Sequence, residues 1–319
     1  MTSLPSKSHF AICAGIGANV LIAATKLAAA FASGSSAMIA EGVHSLVDVG
    51  DGLLLLLGQS RAARPADEEH PLGHGKELYF WTLIVAILFF ALGAGMSFYE
   101  GIQHILHPEP MRDPTWNYIV LGASTLFTIG SFTVAFREFR THVGPDGYWA
   151  AFRRSKDPTL FTLVLEDLGD LAGLTLAFCG VFFGHLLRNP YIDGAASLGI
   201  GLVMTTIAVL LVRESKGLLI GEGASPAERR AIRDAASADH DVRSIGRIVT
   251  MYFGPSTVLV AMDVEFRPGL DTTAIGAAVD RMETRIRDSR PEIKHIYIET
   301  ESLRAAARGR GAGGAIVPT

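Results

Sequence analysis

Six long apolar runs, parted by short polar or breaker-rich joints, fill the first two thirds of the chain. A helix needs about 20 largely apolar residues to cross a bilayer. The runs His9–Ser33, Ser36–Gln59, Leu78–Ile105, Trp116–Phe136, Leu160–Leu187 and Tyr191–Val212 meet that length. Ser33-Gly34-Ser35, the stretch from Pro108 to Pro114, and Asn189-Pro190 are joints of helix-breaking composition. From about Glu214 the pattern changes. Ala227–Ala236 has the period of an amphipathic helix, Ser244–Tyr252 and Thr257–Phe266 read as strands, Thr272–Asp288 as a helix and Lys294–Glu299 as a strand. The order αββαβ predicts a small two-layer α+β domain, ferredoxin-like in kind, with an antiparallel sheet. The expected organisation is a membrane bundle of six helical spans over residues 1–213, an α+β domain over 214–302, and a disordered Ala/Gly/Arg-rich tail over 303–319.

Composition supports this division. Apolar residues make up 49% of the 319 and charged residues only 19%, with a mean hydropathy of +0.31, which argues against an ordinary soluble protein. Half of the formal charges fall from Glu214 onward, and most of the others sit between the apolar runs. With the N-terminus inside, Lys7, Arg61, Arg64, Lys76, Arg137, Arg140, Arg153, Arg154 and Lys156 lie on the cytoplasmic face, against Arg112 and Arg188 on the other. An even number of spans then returns the C-terminal domain to the cytoplasm. A net charge of −4 without a basic block makes nucleic acid a poor partner. Cys13 and Cys179, both within apolar runs, offer neither a disulfide framework nor a thiolate zinc site. The first apolar run is longer than a secretory-signal core and lacks a processing site, and no organellar presequence is seen, so a bacterial inner membrane is the expected location.

Ionisable groups inside spanning helices are costly and mark function by default. At 100° per residue, Glu41, His44, Asp48 and Asp51 of the second span fall within an arc of about 80°. His44 and Asp48 are one turn apart, as are Glu166 and Asp170 on the fifth span, a spacing at which two side chains can grip one ion. Together they offer one imidazole and three carboxylates, a set suited to zinc, cobalt, iron or manganese. The competing reading is that these acids snorkel or cap, but the same spacing on two helices weighs against it. Asp167 projects away from Glu166 and reads as a helix–helix hydrogen-bonding group. Gly169 and Gly173 would let a neighbouring helix approach. In the loop before the third span, Asp67, His70 and His74 could form a second metal site, line a funnel for ions, or belong to an ordinary solvated turn.

Three stretches, in this order and within this layout, resemble the cation diffusion facilitator family of divalent-metal exporters: Ala40-Glu41-Gly42-Val43-His44-Ser45-Leu46-Val47-Asp48, His70-Pro71-Leu72-Gly73-His74-Gly75-Lys76 and Asp193-Gly194-Ala195-Ala196-Ser197. Tyr99-Glu100-Gly101 with His107-Pro108-Glu109-Pro110 is similar to the branch that includes the ninth mammalian zinc transporter. The resemblance implies a homodimeric antiporter that moves a cytoplasmic divalent ion outward in exchange for protons. Zinc would be the first candidate, with manganese, iron or cobalt as alternatives. The transport site would be His44, Asp48, Glu166 and Asp170, Glu166 standing where the family often has a histidine. That departure makes the site harder and brings manganese and iron closer to zinc. The C-terminal domain resembles the family's cytoplasmic dimerisation domain, in which zinc-binding members use histidines. At the matching strands this chain has Asp263, Glu299 and Glu301, which bind metal or are solvated strand ends.

Two rivals are a membrane metal-dependent hydrolase using Glu41 or Glu166 as base, and a non-transporting sensor or scaffold. No HExxH, no GxSxG and no substrate-binding loop favours the hydrolase, so the chain is not expected to be an enzyme.

Overall fold

A computed structural model of the chain describes residues 6–33, 36–107, 115–141, 147–148, 156–189 and 191–300. The expected tail over 303–319 lies outside the described residues. The chain forms two compact units, one of residues 1–65 and 76–219 and the other of residues 66–75 and 220–319.

The regular elements of the first unit are all helices among the described residues. Its elements are α1 (Ser6–Ser33), α2 (Ser36–Ala62), α3 (Lys76–Leu106), α4 (Thr115–Arg140), α5 (Pro158–Leu187) and α6 (Tyr191–Ile220). Among the described residues α3, the α4 stretch Tyr118–Arg140, the α5 stretch Phe161–Leu187 and α6 are long and apolar enough to cross a membrane, and α1 contains a shorter apolar stretch, Gly15–Thr25. A helix satisfies its own backbone, the condition for entering a bilayer. The lipid-facing character shows in the exposed apolar side chains: Leu126 is 74% exposed and Leu202 64%.

Local chemistry sets the ends of α5. The Asp157 side chain accepts from Thr159 N–H with Pro158 in the first turn, and the helix stops at Arg188 in the left-handed region, φ 48°. The last apolar run was expected to end at Val212, yet α6 continues to Ile220, with Ser215 and Leu218 buried. The change of composition at Glu214 therefore falls inside a helix. Inside α3, Phe89–Ala94 winds as a π turn, an insertion often found at functional sites. Packing joins α1 to α2 and α4, α2 to α3, and α4 to α5. Small residues bring α3 and α6 together: a Cβ on Gly101 would lie 2.9 Å from the Gly194 carbonyl oxygen. Gly169 plays a comparable part on α5, where a Cβ would meet Ile207 Cδ1 at 2.7 Å.

The second unit contains α7 (Pro226–Ser237), β1 (Val242–Gly254), β2 (Thr257–Phe266), α8 (Thr272–Ser289) and β3 (Ile293–Thr300), in the expected order αββαβ. Ser225 and Glu228 form a reciprocal capping box on α7, and Asp271 caps α8 by accepting from Ala274 N–H at 2.7 Å. The sheet order is β1-β2-β3. It is mixed rather than antiparallel: β1 and β2 form an antiparallel hairpin, and β3 pairs parallel to β2. The reason is α8, which carries the chain back along the sheet before β3 begins, as a parallel crossover requires. Ile232 and Ala236 of α7, Met282 and Ile286 of α8, and Val258, Val260, Met262 and Val264 of β2 make one core. Both helices thus cover one face of the sheet.

Residues 66–75, expected within the membrane part, group with this second unit. Two glycines make that possible. A Cβ on Gly75 would collide with the Phe253 carbonyl, and one on Gly254 would meet the Gly75 Cα at 3.0 Å. Gly73 has φ 85°, a conformation open to glycine.

Candidate metal sites

The spacing of acids on α2 and α5 brings them to one cavity. Asp48 and Asp51 of α2 and Glu166, Asp167 and Asp170 of α5 line it, with Asn19 of α1, Phe89 from the π turn of α3, and Ser131 of α4. Close approach of α1 to α2 helps to shape the wall, since a Cβ on Gly52 would press into the Ile16 side chain. No lysine or arginine is among the described residues that line it. His44 lies on α2, but its side chain, like that of Glu41, is outside the described residues.

Each acid has its own surroundings. Glu166 Oε1 is buried with no hydrogen-bond partner among the described residues. Leaving a buried carboxyl oxygen without a donor costs on the order of 1–3 kcal/mol, and Glu166 is one of the residues that line the cavity. Asp167 is 8% exposed and accepts a 3.1 Å hydrogen bond from Ser131 Oγ, which ties α5 to α4. Asp51 is 4% exposed. Asn19 and Ser131 were not singled out from the sequence. The available signal was a neutral polar side chain within an apolar run, which is weaker than a charge.

The loop of the second unit gathers Asp67, His70 and His74. Each offers a ligand atom, and these atoms all lie within 4.8 Å of one another. Asp67 Oδ1 accepts from the His70 backbone N–H at 2.7 Å and lies 3.4 Å from His70 Nδ1. Asp67 Oδ2 is 3.4 Å from His74 Nε2, and the two imidazole centroids are 4.3 Å apart. The His74 side chain is only 10% exposed, whereas Asp67 and His70 are open to solvent. The backbone donor of His70 and the two neighbouring imidazoles hold the Asp67 carboxyl below its usual range.

A second close group, Asp239, His240 and Asp241, follows α7. Its acids already have cations. Arg281 donates to both oxygens of Asp239, at 2.8 and 2.9 Å, and to Asp241 Oδ2 at 2.8 Å. These bonds pull the Asp239 carboxyl down to about 2. This is an ion-pair clamp between the α7–β1 turn and α8. Asp263 and Glu299 are register partners on β2 and β3, and Glu301 lies outside the described residues.

Comparison with known proteins agrees with a membrane domain over the helical part of the chain. The family model for the cation efflux transmembrane domain matches residues 12–220. The proton-coupled zinc antiporter SLC30A9, mitochondrial, of Xenopus laevis is 28% identical over 313 residues, covering 86% of this chain and 56% of that protein. Its Homo sapiens counterpart is 26% identical over 306 residues, 84% of this chain and 54% of that one. The chain thus spans about half the length of these relatives. The cation-efflux pump FieF of Cronobacter sakazakii is 28% identical over 281 residues, 88% of this chain and 87% of that pump. The chain is an integral membrane protein belonging to the cation efflux, or cation diffusion facilitator, family, whose members transport divalent cations and are not enzymes.

Proposed function

We propose that the chain exports a divalent metal cation from the cytoplasm in exchange for protons, with zinc the first candidate and manganese, iron and cobalt the alternatives. The observation that carries this reading is the cavity between α2 and α5, lined by Asp48, Glu166 and Asp170, with an oxygen of Glu166 left without a donor among the described residues. His44 completes the ligand set from the turn before Asp48. Six helices, α1 to α6, serve as spans, both ends of the chain face the cytoplasm, and two copies form the working transporter.

Exchange follows from charge balance. Five carboxylates line the cavity, and taking an ion out of water into a protein interior costs several kcal/mol without compensation. A metal ion compensates some of them when the site is loaded. When the ion leaves on the far side, protons must take its place, on His44 or on the carboxylates, before the empty site returns. Asp67, His70 and His74 supply a second, more exposed metal site in the loop.

The test is reconstitution of the full chain into sealed vesicles holding a metal dye and a pH dye. Zinc accumulation with opposite proton movement supports the reading. Zinc accumulation that leaves internal pH untouched overturns the antiport, and absence of metal movement for all four metals overturns transport.

A further inference from the structure

The second unit carries a cationic cleft that the transport reading does not use. Its volume is about 270 Å³, and it is lined by Pro226, Arg229, Arg230 and Arg233 of α7 and by Ile248 of β1. No carboxylate stands among these residues. The three arginines are exposed, and none is ion-paired with a carboxylate among the described residues. Backbone carbonyls hold two of them in place. Arg229 Nη1 donates to the Ala224 carbonyl at 3.2 Å. Arg233 donates from Nη1 to the Ile245 carbonyl and from Nη2 to the Gly246 carbonyl, where the register of β1 against β2 shifts. A guanidinium has five N–H donors, so both keep donors to spare and their full charge. Arg230 makes no hydrogen bond among the described residues.

We propose that this cleft binds the phosphate monoester group of an anionic ligand. Arg229 and Arg233 are one helical turn apart and Arg230 is three residues before Arg233, so the three charges gather on one wall. A single carboxylate balances only one of them. A phosphate monoester brings a charge of about −1.5 to −2 and three strong acceptor oxygens, and the guanidinium fork matches phosphate through paired N–H donors. Ile248 gives the carbon part of the ligand an apolar wall. Such a group comes from a soluble phosphorylated metabolite or from a lipid headgroup, and the cleft recognises the chemistry the two share. Every lining residue belongs to the second unit, so the site needs no residue of the transport cavity.

The experiment follows hydrogen exchange of the α7 segment Pro226–Ser237 in the full chain, held in lipid nanodiscs at constant ionic strength. One arm adds glycerol 3-phosphate to discs of phosphatidylcholine. The other places phosphatidic acid, a lipid phosphate monoester, in the discs. Protection in the first arm supports the site with a soluble source, and protection in the second arm alone supports it with a lipid source. No protection in either arm overturns the proposal, as does equal protection by acetate. Arg230→Ala removes charge-assisted bonds to the phosphate and disturbs no described contact. It should raise the half-saturating amount of the protecting phosphate about tenfold or more; an unchanged midpoint overturns the site. Exchange of α8 without phosphate checks that the variant is folded. Should it not be, the contrast between phosphate and acetate in wild type decides.

Discussion

Two acidic clusters in this chain differ in the described groups placed beside them. In the second unit, Asp239 is buried and both its oxygens are bonded to Arg281, with Arg285 3.4 Å away. In the membrane unit, five carboxylates line one cavity, and none of the described lining residues is a lysine or arginine. The first cluster has its cation built in, so its charge stabilises the fold. No lysine or arginine is among the described residues that line the second, and the transported ion is proposed above to balance part of its charge.

The comparison can be broken most severely at the cavity. Asp48→Ala and Asp170→Ala, each alone, should lower metal uptake by about a hundredfold or more while the protein still elutes as a folded species, because an ion taken from water into a protein interior needs the opposing charge of each carboxylate. Next in size is the clamp. Asp239→Ala leaves Arg281 without its main partner and should destabilise the second unit by about 2–3 kcal/mol. Hydrogen exchange measured on α7 and α8 of the full chain should report the loss, with metal selectivity unchanged.

Acid supplies a gentler version of the same test. The Asp239 carboxyl is held at about 2, below its ordinary 3.8, so its contribution is fully present above the ordinary value. It is lost as pH falls from about 4 towards 2. Exchange protection of α7 and α8 should drop over that window in wild type, and the part due to this group should be absent in Asp239→Asn. The smallest effect is expected at Ser131→Ala, which removes one hydrogen bond to Asp167 and should cost about 1 kcal/mol. Uptake should fall less than tenfold.

Much of this was legible in the sequence because membranes and cores impose simple periods. The run His9–Ser33 lies within α1, Ser36 begins α2, and Tyr191 begins α6. The end of α6 was hidden because Arg213, Glu214 and Lys216 mark where apolar surroundings end, not where the helix does. Ser215 and Leu218 remain buried and carry the helix on to Ile220. The parallel pairing of β3 was readable in principle from the helix that precedes it, but the strand pattern alone says nothing of direction. The grouping of residues 66–75 with the second unit depends on backbone approach at Gly75 and Gly254, which leaves no periodic trace. The acids of the cavity announced themselves by breaking an apolar run. Asn19 and Ser131 did not, since a neutral amide or hydroxyl is tolerated in a span for many reasons.

The central claim is that the carboxylates of α2 and α5 hold the transported ion. The most direct measurement is metal-for-proton exchange in vesicles containing the Asp48→Ala, Asp170→Ala double variant, set beside wild type at equal protein. The account predicts that metal uptake and the coupled proton movement both vanish while the variant remains folded. Full exchange by that variant would contradict it.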